Sequence, residues 1–488
     1  MATYPDLSGL IKSYDVRGVV GENLTEDVAR AIGAAFADAV VIPDGHTAMV
    51  VGRDMRSSGV SLEAAVVDGV VGRGIDVVSV GLCSTDGLYF ASGFYDMPGM
   101  MITASHNPAQ YNGMKMCHAR ARAVGEATGL GAVRELAARY LVDGIPQAPS
   151  AGAHTHQDVL KDYAQYLRSL VDLTSARPLT VVVDAANAMA GHTVPAVLGT
   201  AAGLAPLPIE VVPLYFELDG TFPHHEANPL EEKNLVDLQA AVRAHGADLG
   251  LAFDGDADRC FVIDDRGEVV RASTITTLVG LREVEREQAA GRTPTIIHNL
   301  ISSKAVSEQL QAAGATTVRS RVGHSHIKAQ MAEHDAVFGG EHSAHFYFRD
   351  FWFADSGLLA AMHVLAAVGE QEAPLSHLLA AHDPYAASGE INSHVDSADT
   401  ALARVRESFV TDQVEVDEVD GLTVSHWGST PQWWFNVRAS NTEPLLRLNV
   451  EAADRAVMGR QRDAVLAVIR GTDAREPTAE GSSPAAAP

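Results

Sequence analysis

Apolar residues recur at helical spacing over residues 26–40, and Thr25 stands where an N-cap belongs. Residues 48–51 then form a short apolar run ending in Gly52-Arg53-Asp54, the pattern of a buried strand meeting a turn. A second helical pattern covers 61–71, a second strand 75–80, and a third strand, 100–103, runs into a polar turn. Helices alternating with buried strands predict a mixed or parallel sheet covered by helices.

The alternation restarts twice. Residues 179–184 read as a buried strand followed by a helix, with further strands at 209–212 and 249–253 and a helix near 235–245. The third round has strands at 295–298 and 336–338 and helices at 303–312, after Gly323 and from Ser356. Beyond residue 380 the pattern changes. Strands at 414–424, 433–437 and 445–450 and a closing helix at 455–469 predict a smaller α+β domain. From Gly471 onward the chain has no apolar period, the composition of a disordered tail. The predicted fold class is α/β: three similar mixed-sheet α/β domains at 1–150, 151–262 and 263–380, a C-terminal α+β domain at 381–470 and a tail at 471–488. Residues 146–157 are the expected first linker.

Composition agrees with several domains. A chain of 488 residues exceeds one hydrophobic core, and at roughly 100–200 residues per domain it divides into about three or four. With 62 Asp and Glu against 36 Lys and Arg, the net charge is −26. That balance argues against nucleic acid as the main partner, because phosphate backbones need a basic footprint. It leaves room for a phosphorylated metabolite, since a few Arg and Lys can be focused in one cleft. Cys83, Cys117 and Cys260 lack metal-ligand spacing and suit a reducing cytosol. With no visible signal sequence and no apolar run of about 18 residues, a soluble, cytoplasmic protein without a membrane partner is expected.

Five polar clusters carry candidate chemistry. In Thr103-Ala104-Ser105-His106-Asn107-Pro108, a serine at a strand end faces a cleft and can accept and return a phosphoryl group. Lys115, just downstream, could stabilise the departing oxygen, or move a proton if its pKa were lowered. The same residues also suit an ordinary surface turn, with Ser105 and Asn107 capping backbone and Pro108 fixing the bend. Asp254-Gly255-Asp256-Ala257-Asp258-Arg259 follows an apolar strand, and carboxylates converged by a turn call for a cation. Oxygen ligands suit Mg²⁺, while Arg259 and the missing closing Glu disfavour a calcium loop. The alternative is a solvated acidic turn.

The third cluster joins Val322-Gly323-His324-Ser325-His326-Ile327-Lys328 to Gly339-Gly340-Glu341-His342-Ser343-Ala344-His345, where Glu341 and Ser343 offer an acceptor and a donor suited to a sugar diol. No histidine pair there has clear catalytic zinc spacing. In Arg438-Ala439-Ser440-Asn441-Thr442-Glu443-Pro444, an Arg fork, hydroxyls and an amide can wrap one phosphate, or simply form a polar hairpin turn. In Tyr14-Asp15-Val16-Arg17-Gly18, Arg17 either reaches a cleft or makes a surface ion pair.

These five clusters, in this order and spacing over residues 8–470, resemble the α-D-phosphohexomutase family, with residues 339–350 most similar to the phosphomannomutases. The resemblance implies four domains around a central cleft and reversible conversion of mannose 6-phosphate to mannose 1-phosphate. It implies that Ser105 is the phosphoserine, passing its phosphoryl group to the sugar through a hexose 1,6-bisphosphate that also serves as activator. Mg²⁺ would be held by Asp254, Asp256 and Asp258 with an oxygen from Ser105. Arg259 would contact the phosphoryl group, and Lys115 and Arg17 would serve proton transfer and charge stabilisation. His106, His324 and His345 match cleft positions. Glu341 and Ser343 would hold sugar hydroxyls, and Arg438, Ser440, Asn441 and Thr442 the unreacting phosphate. The partner expected is a hexose phosphate, bound by a monomer or homodimer.

Two segments depart from the family pattern. Asp184-Ala185-Ala186-Asn187-Ala188 has alanines where relatives usually carry glycines, and Ile301 stands near a position where many carry a basic residue, with none here before Lys304. Glucose and glucosamine phosphates are alternative substrates. Readings of another class are a phosphatase with Asp254 as nucleophile and a non-catalytic sugar-phosphate-binding protein.

Overall fold

The computed structural model describes residues 4–12, 14–439 and 445–471. The chain divides after His382 into two units, each described by itself.

The first unit contains three sheets that share one plan. In the first, Ala48–Arg53 runs parallel to Asp76–Leu82 and to Gly99–Ile102, and Gly99–Ile102 then turns back on itself into antiparallel Tyr111–His118. Strand Val16–Val19 closes that edge. In the second, Leu249–Phe253 is parallel to Leu179–Asp184, which is parallel to Ile209–Leu214, and Cys260–Ile263 returns antiparallel. In the third, Thr295–Asn299 lies parallel to Thr316–Ser320 and Phe338–Gly340, and Phe346–Phe348 returns antiparallel. Each sheet thus has a buried parallel centre whose last strand returns in a hairpin, with a short further antiparallel strand, Arg122–Ala123, Val269–Val270 or Ala354–Asp355, beyond it. The serine loop, the aspartate loop and the Glu341 loop are those three hairpin turns, not strand-to-helix turns. A tight turn between paired strands fixes loop geometry at both ends.

The expected helices form where the periodicity places them. Glu26–Phe36 starts at Thr25, whose hydroxyl accepts from the Val28 amide at 3.3 Å, and ends in a π turn, Ala37–Val41. Helix Gly357–Gly369, with Ser356 as N-cap, is apolar on every side and every residue is buried, as expected of a helix at the centre of a core. Its residues join Phe253 and Val262 of the second sheet and Phe338 and Phe346 of the third in one continuous core.

The second unit is a five-stranded antiparallel sheet in the order Ala386–His394, Leu445–Ala452, Trp433–Ala439, Leu422–Ser425, Glu415–Asp417. Helices Ala398–Phe409 and Arg455–Arg470 form it with the sheet, and Val405, Phe435, Leu448 and Val465 are among its core residues.

Three expectations need correction. The single strand expected at 414–424 is two short strands around a turn at Gly421, whose φ of 73° only glycine adopts readily. Residues 154–156 of the expected linker form an edge strand on Asp76–Leu82; His-Thr-His has no apolar signal because main-chain bonds and polar side-chain contacts, such as His154 with Ser79 at 2.9 Å, hold it. Strand Ala386–His394 was not anticipated, since a register shift between Ala387 and Glu390 breaks its alternation. The tail expected after Gly471 lies outside the described residues.

Candidate active site

Ser105 is buried and sits at φ 49°, a left-handed conformation that a non-glycine residue holds only when its surroundings impose it. Its amide donates to Thr103 Oγ1 at 2.9 Å, and its hydroxyl donates to Asp254 Oδ2 at 2.6 Å. The two turns, 149 positions apart in sequence, are therefore in direct contact. Gly255 is required by that contact: a Cβ there would lie 2.2 Å from the Ser105 carbonyl oxygen.

Asp254, Asp256 and Asp258 are all buried and bring one oxygen each within 4.8 Å of one another. Arg259 Nε and Nη2 donate to Asp254 Oδ2 at 3.0 and 2.7 Å. Lys115 Nζ donates to Asp256 Oδ2 at 2.7 Å and also to Asp258 Oδ2. Burial, reinforced by the other two aspartates, pushes Asp254 up to about 6 despite Arg259. Burial also works against the Lys115 ammonium, but Asp256 and Asp258 outweigh it and raise its pKa. Proton transfer by Lys115 was conditional on a lowered pKa. The shift is upward, because two carboxylates face one amine and Lys115 donates to both.

One oxygen each of Asp256 and Asp258 is buried without a hydrogen-bond partner. Two cations face three carboxylates, and unpartnered oxygens in such a cluster are the donor set a hard divalent cation takes. The cluster can hold a metal ion.

The Glu341 loop contacts this cluster. His345 and Arg259 form an isolated antiparallel bridge, and His345 Nε2 lies 3.7 Å from Asp258 Oδ1. Glu341 Oε1 accepts the Gly323 amide at 3.0 Å, and Oε2 accepts the Ser343 hydroxyl at 2.9 Å. Burial disfavours the His345 charge, yet Glu341 and Asp258 raise its pKa; Glu341 is correspondingly lowered, against burial, by His345 and Ser343. Ala257 and Ala344, like Ser105, have positive φ, so each of the three loops bends through a non-glycine left-handed residue.

His106 Nδ1 lies 2.5 Å from Arg259 Nη2, which can only donate, so this nitrogen is an acceptor. Burial, then Arg259 and Arg17, hold the ring neutral, well below its usual pKa. Arg17 makes an ion pair with Asp15 at 3.0 Å and donates a hydrogen bond to the Thr103 carbonyl. His324 opens helix His324–Glu333 edge-on to Tyr14, 5.4 Å between rings, and burial pushes its pKa down to about 4.

Arg438 lies in the second unit, on strand Trp433–Ala439, paired with Glu390 at 2.7 Å. Ser440, Asn441 and Thr442 lie outside the described residues. The alanine-rich loop keeps a glycine-like path: Ala186 and Asn187 have φ of 48° and 59°. Ile301 is buried.

Sequence reasoning missed Thr85, whose hydroxyl donates to Asp256 Oδ2 at 2.6 Å from the start of helix Thr85–Tyr95. It included Lys328 in the third cluster but missed its buried partner Asp355, 2.7 Å away, and the Tyr89 ring, whose centroid lies 3.8 Å from the ammonium. Asp355 lies in one cluster with Asp258 and His345. Neither Thr85 nor Asp355 has a local motif; the one available signal was the charge of Asp355 after the apolar run Phe351-Trp352-Phe353-Ala354.

Four family models match in chain order: Phosphoglucomutase/phosphomannomutase alpha/beta/alpha domains I, II and III at residues 9–138, 161–267 and 273–385, and the C-terminal domain at 390–468. A phosphomannomutase of Escherichia coli is 36% identical over 463 residues, covering 94% of this chain and 98% of the relative. A protein of Xanthomonas campestris pv. campestris described as phosphohexose mutases is 38% identical over 465 residues, covering 94% and 99%. The crystal structure of a phosphoglucomutase/phosphomannomutase family protein from Burkholderia thailandensis superposes with a TM-score of 0.83 at 30% identity, covering 95% of this chain and 98% of that one. Its four sheets, its three hairpin turns and these full-length likenesses agree, and the chain belongs to the phosphoglucomutase/phosphomannomutase family of phosphohexomutases.

Proposed function

We propose that this chain interconverts D-mannose 6-phosphate and D-mannose 1-phosphate, with Ser105 as the group that carries the phosphoryl. The reading rests on one observation above all: the Ser105 hydroxyl, in a left-handed turn, lies 2.6 Å from a buried aspartate of a three-carboxylate loop and within reach of Arg259 Nη2 at 3.3 Å.

In the phosphorylated state the free hydroxyl of the sugar attacks phosphorus, the bond from phosphorus to Ser105 Oγ breaks, and a hexose 1,6-bisphosphate forms. After the intermediate reverses, Ser105 Oγ attacks the other phosphate and the sugar hydroxyl there is released. Phosphoryl transfer needs in-line positioning and neutralised oxygens more than covalent chemistry. Arg259 supplies a guanidinium beside the seryl oxygen, and Lys115, beside Asp256 and Asp258, would serve charge stabilisation and proton transfer with Arg17. Asp254, Asp256 and Asp258 would hold Mg²⁺, which when bound neutralises charge on the transferring group. Glu341 and Ser343 would bind hydroxyls common to both orientations of the sugar, and Arg438 with Ser440, Asn441 and Thr442 the distal phosphate.

Asp254 is a poor nucleophile for a phosphatase: its Oδ2 already accepts from Ser105 and twice from Arg259. The deciding measurement offers mannose, glucose and glucosamine 1-phosphates with Mg²⁺ and a trace of hexose bisphosphate. The expected result is highest kcat/KM for mannose 1-phosphate and added phosphate on the Ser105 peptide by mass spectrometry. Release of inorganic phosphate with no 6-phosphate would overturn the reading.

A further inference from the structure

Arg56 is a guanidinium buried almost completely, its side chain 1% exposed, one turn beyond strand Ala48–Arg53. Nη1 donates to the carbonyls of Pro108 at 2.9 Å and Tyr111 at 3.0 Å. Nη2 donates to the carbonyls of Ser105 at 2.8 Å and Asn107 at 2.6 Å. One side chain therefore satisfies four carbonyls of a single loop, including that of the strained residue. Asp54 Oδ2 lies 3.3 Å from Nε and balances the charge. The ring of Phe222, from the sequence region of the second sheet, covers the guanidinium at 5.1 Å. Gly220 permits this approach, since a Cβ there would stand 2.8 Å from Arg56 Cα.

A guanidinium in this position does more than fill space. A left-handed serine without such partners relaxes to a commoner backbone conformation. Relaxation would rotate the Ser105 carbonyl away from Nη2 and swing Oγ away from Asp254. Arg56 Nη2 holds the carbonyl by a hydrogen bond, and Gly255 packs close enough to it that a Cβ would lie 2.2 Å away. Arg is suited to this because its planar fork presents several donors in fixed directions, whereas Lys offers a single ammonium.

We propose that Arg56 is a positioning residue that imposes the left-handed conformation of Ser105 and so aims its hydroxyl at the aspartate loop. The inference rests on the reading of Ser105 as the phosphoryl carrier only for its catalytic consequence; its conformational part stands alone. The test compares full-length Arg56→Lys and Arg56→Met with the parent. Amide hydrogen exchange over residues 103–113 should rise at least about tenfold in both, with residues 295–320 unchanged. The rate of phosphate transfer from glucose 1,6-bisphosphate to Ser105, with Mg²⁺ present, should fall about 100-fold in Arg56→Met and less in Arg56→Lys, while KM for the hexose phosphate stays within about threefold. Should Arg56→Met fail to fold, Phe222→Leu, which uncovers the guanidinium without removing its bonds, should give a smaller rise in the same exchange. Folded variants with parental exchange over 103–113 would overturn the proposal. A parent that never takes phosphate on Ser105 would overturn the mutase reading instead, and exchange alone would then decide the role of Arg56.

Discussion

Two loops of the second sheet leave neighbouring parallel strands side by side, with Ala252 paired to Asp184, and they do opposite things. Both put a buried aspartate at the strand end and both bend through a left-handed alanine, Ala186 in one and Ala257 in the other. Asp184 is satisfied within its own surroundings: Oδ1 accepts the Ala186 amide at 2.9 Å and Oδ2 meets His225 Nε2 at 3.0 Å. Asp254, Asp256 and Asp258 instead take partners from the first sheet and its helix, Ser105, Lys115 and Thr85, and leave two oxygens unpartnered. A buried carboxylate whose lone pairs are used up locally is scaffold. One that faces another element with oxygens to spare is poised for a cation and for chemistry.

That contrast can be broken by substitution. Ser105→Ala should lower isomerisation by at least about three orders of magnitude, because the residue that takes and returns the phosphoryl is gone; a coupled assay with mannose 1-phosphate reads it. Asp184→Asn should leave turnover per folded molecule near parental while lowering the melting temperature.

Asp256→Asn and Asp258→Asn should cost about 10²–10³ in kcat, the usual scale for losing one preorganised electrostatic group. In EDTA, Asp256→Asn should also lower the melting temperature, because it takes the charge partner from the buried Lys115 ammonium. Parental kcat in both variants would show that the Asp254 loop is scaffold like the Asp184 loop.

Adding Mg²⁺ should stabilise the parent by about 2.7 kcal/mol at a hundred times its dissociation constant, and EDTA should reverse this. The shift should vanish in Asp256→Asn and persist in Asp184→Asn, as thermal unfolding would record.

The smallest effect concerns pH. Burial disfavours the His225 charge, but Asp184 raises its pKa above the unfolded value near 6.5. Such a group contributes stability fully below pH 6.5 and loses it as pH rises through the folded pKa. The stability gap between the parent and His225→Gln should therefore be widest at pH 6 and shrink by pH 9.

The chain's own pattern determined much of this. Buried runs such as Leu249–Phe253 and the capped helix at Thr25 follow from burial periodicity and local hydrogen bonding, which act over a few residues. The Asp254 loop and the serine turn were legible because their chemistry is contiguous. The hairpin that carries each loop was not, since pairing direction is set by where the return strand docks. Strand Ala386–His394 was hidden by its bulge and His154–His156 by its lack of apolar residues.

Only the tertiary structure decided which charges meet. Lys115 was open to a lowered pKa on sequence grounds, and two aspartates more than 140 positions away raise it instead. Arg56, Thr85 and Asp355 carry no motif, because their meaning lies in partners from distant segments. Electrostatic and hydrogen-bonding energies depend on distance in space, and the sequence orders residues only along the chain.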